Sequence, residues 1–446
     1  MTEYVGMSMP RYDGVGQATG RTKYVDDFVL PGMVYVKVLR SPVHKGVIRH
    51  LDLSAAENTP GVVGVLSAED VPGVNLYGAG GDQPVFTPEH IRYKGELIAA
   101  VVGVDEDTAM EGVEKIDIQI EEQTPVFDMF EAMKPDAPLV RPDSESNLWE
   151  YEPGQTTRVM YIGDVEEGFA QAEHIVEGRY QTGEQDHAPL EPHASVAYLD
   201  EAERLAIHTV SQCLYFQLGQ LAAIFGLPMS KIRYIGGTVG GGFGGKNHIH
   251  ADHVAGIAAL KFGRPVKYRE TRREDLQYST KRGVFILDYK TGVRDDGTLV
   301  ANHIKLWHDS GAYGGFSPYG GEKCSMFASG PYHIPNIRTE AQTILTNKAG
   351  SSSMRGFTIM NGQFPMEMQL HKIAEETGID PWELRFINAW RDGDKGVSRY
   401  TVRGAGAIEA MKKAADLAGI ELPEHLLAMD SRTPPPQRGE AADVVD

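Results

Sequence analysis

The chain has 446 residues, 41% of them apolar and 24% charged, so it can bury a large core without staples, and its length sets an expectation of about three domains. No apolar run approaches the roughly 20 residues of a membrane span, and 43 Lys and Arg against 62 Asp and Glu leave a net charge of −19, which argues against binding a phosphate backbone. Two cysteines, Cys213 and Cys324, cannot make a disulfide framework, a four-cysteine zinc site or an iron–sulfur cluster.

The first ten residues lack a basic region followed by an apolar stretch, so no secretory signal is expected and a reducing cytoplasm is the default compartment. Residues 1–135 read as one α/β unit: apolar, β-rich runs at 33–39 and 97–104, an amphipathic helix at 105–116, and strand alternation at 116–120. Residues 136–160, rich in Pro, Ser, Asp and Glu, read as a linker. Helix is expected at 164–172, extended chain at 173–180 and 204–210, and a helix at 214–225 stopped by Gly226 and Pro228. A strand at 231–235, a glycine-rich loop and a helix at 250–262 follow. Asp380-Pro381-Trp382-Glu383 is a helix start with an Asp cap, Pro in the first turn and Glu at the capping-box position. Residues 431–446, with three consecutive prolines, read as a flexible tail after a second domain at 161–430.

Seven of the ten residues 236–245 are glycine. Without side chains, the backbone N–H groups of such a loop can approach an anionic or oxo ligand closely. A phosphate-binding P-loop fails here, because Asn247 stands where the magnesium-binding hydroxyl belongs. Gly240, Gly242 and Gly245 do keep the spacing of a dinucleotide fingerprint between a strand and a helix, so a nicotinamide-dependent dehydrogenase and a purely structural turn both stay open. Of His248, His250 and His253, only the last two share a helical face, which favours ordinary polar histidines over a metal site. His187 and His193 flank Glu191-Pro192, as an acid–base pair or a turn between strands. Ser351-Ser-Ser-Met-Arg-Gly-Phe357 places an arginine and an aromatic on a small-residue loop before a helix carrying Met366, Leu370 and Ile373. Phe357 is available there to stack on a flat substrate.

In order, the chain carries Tyr24-x-Asp26-Asp27, Pro31-Gly32-Met33, Arg40-Ser41-Pro42, Arg92-Tyr93-x-Gly95-Glu96, Glu191-Pro192 and Gln212. Gly240-Gly-Gly-Phe-Gly-Gly-Lys246, Pro335-Asn336-Ile337, Met354-Arg355-Gly356-Phe357 and Leu384-Arg385-x-x-Asn388 follow. From about residue 5 to about 392 this resembles the molybdenum-binding subunit of the xanthine oxidase (molybdenum hydroxylase) family. The resemblance displaces the dinucleotide reading. It implies an α+β fold, with an N-terminal α/β hammerhead domain at 1–135 followed by the first lobe of a molybdopterin-binding domain. Gln212, Gly241, Gly242, Phe243, Gly244 and Arg355 would then face the cofactor, with Gln212 and Arg355 the residues nearest the chemistry. Asn247, Lys323 and Phe357 would face substrate, and no side chain would ligate molybdenum directly, the metal being held by the pterin dithiolene.

The departures from the family matter as well. The general-base glutamate lies in a C-terminal half beyond this chain's last residue, so a second molybdopterin-lobe subunit carrying it is expected. In size and end point the chain is similar to the larger piece of a split subunit of the nicotinate dehydrogenase type. A [2Fe-2S] subunit and an FAD subunit would complete the electron path, and the cofactor is expected in its cytosine dinucleotide form. Asn247 and Lys323 replace the glutamate and arginine of purine-oxidising members, which turns the expectation toward hydroxylation of a nicotinate-like N-heteroaromatic with oxygen from water. A purine- or aldehyde-oxidising member is the alternative within the family, and a non-catalytic cofactor carrier or maturation protein the alternative outside it. The absence of cysteine from residues 351–356 argues against carbon monoxide oxidation.

Overall fold

The computed structural model describes residue 4 and residues 6–433. Contacts divide the chain into two compact units, and each is built from separated stretches of sequence. Among the described residues, the first takes those up to 125 with 186–280 and 347–349; the second takes 126–185, 281–346 and 350–433.

The first unit is organised on a seven-stranded mixed sheet in the order Ile232–Gly236, Leu205–Thr209, Ala194–Leu199, Val266–Arg269, Val34–Arg40, Leu97–Gly103, Val62–Leu66. Leu97–Gly103 is buried at every position, because strands pair on both sides and helices cover the sheet, and its sequence is accordingly a continuous apolar run. Leu221, Ile224 and Phe225 of the helix Leu214–Phe225 join Val254, Ile257 and Ala258 of Asp252–Phe262 in the core beside Val34, Val36 and Ile207. Each large apolar side chain buried there contributes about 1.5–3 kcal/mol. Gly226 ends the first of these helices in the left-handed conformation at φ 61°. A three-stranded sheet, His90–Ile91, Gly46–Asp52 and Asp117–Glu122, completes the unit.

The second unit carries a five-stranded sheet in the order Arg158–Ile162, Asn336–Leu345, Leu299–Gly311, Phe285–Val293, His174–Thr182. The helix Ile359–Thr377 lays Met366, Leu370 and Ile373 into its core with Phe285, Leu287 and Tyr289. The motif around Asn388 is structural. Its amide donates to the carbonyls of Gly297 and Leu384, and its oxygen accepts from the Leu299 N–H, so every polar bond it makes is to buried backbone. Arg385 pairs with Glu367 at 2.7 Å, and Glu367 also accepts from Tyr332.

Several expected segments take a more specific form. Residues 136–160 are anchored: Val140 and Asn147 are buried, Asn147 accepts from the Val140 N–H and donates to Ala132 and Pro138, and the Trp149 N–H donates to Thr343. The compact units interleave along the sequence, residues 194–269 supplying four strands of the sheet begun by 34–40. Asp380 does cap Pro381–Asn388, accepting from the Trp382 and Glu383 N–H groups, but the Glu383 carboxylate turns to His425 at 3.0 Å. The helix expected from 250 begins at Asp252. Of the expected tail, Ser431 is buried against Glu409, and 434–446 lie outside the described residues.

Candidate functional site

In the first unit the glycine loop leaves Ile232–Gly236 and passes through a 3-10 turn at Gly245–Asn247. Two side chains hold it. The Gln212 side-chain oxygen accepts from the Gly244 N–H at 2.9 Å and the Lys246 N–H at 3.3 Å, while the Gln212 backbone N–H donates to Lys246. Because both partners are N–H donors, the amide orientation is fixed, and the NH2 of Gln212 remains to donate elsewhere. A Cβ at Gly242 would lie 2.4 Å from that Gln212 oxygen, and Gly244 sits at φ 101°, so glycine is required at both. Glu191 is the other anchor: one carboxylate oxygen accepts from the Gly240 N–H at 2.7 Å and from the Lys246 ammonium at 2.9 Å. Lys246 is fully buried, and burial pulls its pKa down against the opposing pull of Glu191.

Between these anchors Phe243 adopts φ 54° with a half-exposed side chain. A bulky residue in left-handed backbone costs on the order of 1–3 kcal/mol and persists where the surroundings force it, a pattern associated with functional loops. Asn247 closes the turn through its N–H to the Gly244 carbonyl and is partly exposed.

The second unit holds the other expected loop. Phe357 and Thr358 are again non-glycine residues in left-handed backbone, at φ 36° and 66°. The Arg282 guanidinium donates to the Arg355 carbonyl at 2.7 Å, the Thr358 hydroxyl donates to Gly320, and buried Ser351 is held by His308 and Ser317. Arg355 itself is exposed. Lys323 and Phe357, far apart in sequence, are brought together, the ammonium lying 5.1 Å from the ring centroid. Tyr319, one helical turn before Lys323, sits 5.5 Å from the same ring. Sequence reasoning missed both Tyr319 and Arg282; the i, i+4 spacing of Tyr319 and Lys323 was the available signal for the first.

The histidines do lie around a helix start, with His253 in the first turn of Asp252–Phe262, but they are largely buried rather than solvated. His248 and His253 are buried, and burial takes their pKa values down to about 4 and about 3. His250 precedes the helix, and its ring lies tilted by 33° against that of His193 with centroids 3.9 Å apart. His193 does not pair with Glu191. Its Nδ1 meets Asp275 at 2.8 Å and Glu270 at 3.6 Å; burial lowers its pKa, but the two carboxylates outweigh that and raise it. The dinucleotide context fails on topology, since two strands separate Ile232–Gly236 from Val266–Arg269 and the intervening helix does not open at the loop.

Residues 149–389 match the family model of the molybdopterin cofactor-binding domain, and residues 19–124 that of the aldehyde oxidase and xanthine dehydrogenase a/b hammerhead domain. The chain is 35% identical over 398 residues to a probable xanthine dehydrogenase subunit of Bacillus subtilis, covering 89% of this chain and 52% of that protein. It is 31% identical over 418 residues to the nicotinate dehydrogenase large molybdopterin subunit of Eubacterium barkeri, covering 93% and 96%. The aldehyde oxidoreductase structure from Desulfovibrio gigas superposes with a TM-score of 0.86 at 28% identity, over 92% of this chain and 46% of that one. The chain thus spans about half the length of the Bacillus and Desulfovibrio proteins and nearly all of the Eubacterium protein. Among the described residues no helix is long and apolar enough to cross a membrane. With a hammerhead domain followed by a molybdopterin cofactor-binding domain, the chain belongs to the aldehyde oxidase and xanthine dehydrogenase family.

Proposed function

We propose that this chain is the larger molybdopterin-binding piece of a multi-subunit, cytoplasmic molybdenum hydroxylase acting on a carboxylated N-heteroaromatic such as nicotinate. The observation that carries the substrate class is the Lys323 ammonium above the Phe357 ring. A flat ring needs an aromatic to stack on, and its carboxylate needs a point charge at the edge; Lys provides the charge without the planar fork suited to a two-point ring contact. Asn247 is neutral and cannot make the anionic contact of a purine pocket. The match to nearly the whole Eubacterium protein supports the same reading.

The loop residues suit a bound molybdopterin. A Cβ at Gly242 would fill the space beside Gln212, and the Gln212 NH2 is a donor not engaged by the loop. Gln212, Gly241, Gly242, Phe243, Gly244 and Arg355 would hold the group, in its cytosine dinucleotide form. When bound it supplies Lewis acidity and two-electron redox chemistry. Gln212 would donate a hydrogen bond toward the reacting centre, Phe357 would orient the ring and Lys323 would bind its carboxylate, while Arg282 keeps the backbone of the Arg355 loop in place. Fixed donors of this kind need no reorganisation during reaction.

Further subunits would supply the rest: a second molybdopterin lobe with the general-base glutamate, a [2Fe-2S] subunit and an FAD subunit. Both cysteines here are free and too few for a cluster. Comparing kcat/KM of the assembled enzyme for nicotinate, hypoxanthine, xanthine and a simple aldehyde tests the reading. Nicotinate should lead; a clear purine preference would favour the Bacillus-like alternative, which the higher identity of that relative keeps in view. Expressed without partners, residues 1–446 should bind little molybdenum and show no turnover.

A further inference from the structure

Behind the glycine loop, within the first unit, four ionisable side chains converge that neither the cofactor nor the substrate reading uses. His193 Nδ1 lies 2.8 Å from Asp275 Oδ1 and 3.6 Å from Glu270 Oε2, and His250 Nδ1 lies 4.0 Å from Glu270 Oε1. One ligand atom each from His193, His250 and Glu270 fall within 4.8 Å of one another. The side chains of His193, Glu270 and Asp275 are 5%, 2% and 1% exposed, and His250 keeps 12%, which leaves an approach from its side.

The carboxylates are arranged alike. Glu270 Oε1 accepts from the Arg40 guanidinium at 2.8 Å, and Asp275 Oδ2 accepts from Arg272 at 3.0 Å. Each thereby has one oxygen fixed by an arginine and the other turned to His193. Glu270 Oε2 is buried with no hydrogen-bond partner, an arrangement that costs the full desolvation of that oxygen. The second nitrogen of His193, Nε2, faces the Gly245 carbonyl at 3.4 Å. That pattern, in which ligating carboxylates and an imidazole are each oriented by an outer hydrogen bond, is what metal sites require.

We propose that His193, His250, Glu270 and Asp275 bind one divalent transition-metal ion, with Zn2+ the best match, as a structural site behind the glycine loop. Tetrahedral bonds of 2.0–2.2 Å put neighbouring ligand atoms about 3.4 Å apart. The 3.6 Å separation is already near that; the 4.0 Å one, measured to the Glu270 oxygen that Arg40 holds, closes and the 2.8 Å one opens by about 0.6 Å each, and Asp275, outside the 4.8 Å group, makes the largest turn to join as fourth ligand. Two imidazoles with two carboxylates are a borderline-soft donor set that favours Zn2+ over Mg2+ or Ca2+. Through Gly245 the ion would tie the far end of the loop to the sheet.

The test uses the full chain, and the assembled enzyme where it is obtained, stripped with a chelator and titrated with ZnCl2 and then CoCl2. The expected result is one equivalent of zinc, counted separately from molybdenum by elemental analysis, with a raised thermal midpoint and the visible absorption of tetrahedral Co2+. His250→Gln and Glu270→Gln should each weaken Zn2+ binding at least tenfold, with folding checked by circular dichroism. Wild-type protein that takes up no zinc overturns the proposal, and so does wild-type protein that binds Co2+ without the tetrahedral spectrum, neither result depending on a variant. Zinc held equally well by a folded His250→Gln and Glu270→Gln pair would place the metal elsewhere and overturn it too.

Discussion

Glu191 and Lys246, 55 residues apart, form a buried clasp across the glycine loop: the ammonium lies 2.9 Å from the same carboxylate oxygen that accepts the Gly240 N–H. One side chain thus fixes both ends of a segment that has almost no side chains of its own.

Breaking this clasp from one side should be costly. Lys246→Met leaves the Glu191 carboxylate buried without its counter-charge, and removing one partner of such a pair typically costs about 3–5 kcal/mol. The double variant Glu191→Gln/Lys246→Met removes both charges and should recover most of that loss in a urea or thermal unfolding curve. A double variant no more stable than Lys246→Met would show that charge pairing is not what holds the loop.

Gln212 performs two separable tasks. Gln212→Ala should lower kcat of the assembled enzyme by roughly 10- to 1,000-fold, the range for one preorganised donor, and should speed hydrogen exchange at the Gly244 and Lys246 amides. Gln212→Glu keeps the acceptor and loses the donor, so exchange should stay slow while kcat still falls. Molybdenum content should change little in either. Wild-type kcat in both variants would remove Gln212 from the reacting centre.

Glu96 makes stability depend on pH. Burial pushes its carboxyl up to about 7, although it accepts from the Arg92 N–H at 2.7 Å. The unfolded chain ionises this group near 4.5, so folding carries no penalty below that pH, loses stability progressively between about 4.5 and 7, and bears the full cost above 7. That gap corresponds to roughly 3 kcal/mol. Glu96→Gln should therefore match wild type near pH 4.5 and be the more stable protein above pH 7. Parallel Tm profiles across this range would contradict the assignment.

The two thiols should differ in reactivity. Burial pushes Cys324 up to about 12, whereas Cys213 is partly exposed beside Gln212. Native protein should react with a thiol reagent at one site, mapped to Cys213, and at two after denaturation. Rapid native labelling of Cys324 would mean that the second unit opens readily.

Local features were legible and long-range pairings were not. The helix Leu214–Phe225 follows from its apolar content and its Gly226 stop, and the strand Leu97–Gly103 from its unbroken apolar run. The glycine loop announces itself by composition, and Gln212 and Lys323 are singled out only by family resemblance. The Glu191–Lys246 clasp and the grouping of His193 with Glu270 and Asp275 depend on residues that nothing local connects. Strand order escaped for the same reason: periodicity identifies a strand but not its neighbour. The acidic, proline-rich segment at 136–160 looked like a connector because its anchor, Asn147, binds backbone rather than apolar side chains.

The parallel pairing of Val34–Val36 with Val266–Tyr268 has a consequence for synthesis on the ribosome. The N-terminal strand emerges early, yet the neighbour that covers its far edge is translated more than half the chain later. At about 5–20 residues per second this leaves an apolar edge waiting for on the order of ten seconds or more. Closure across so long a loop is slow and exposes a template for wrong pairing. The nascent chain is therefore a natural client for chaperones until Arg269 has left the exit tunnel, and fragments ending near residue 135 inherit the open edge permanently.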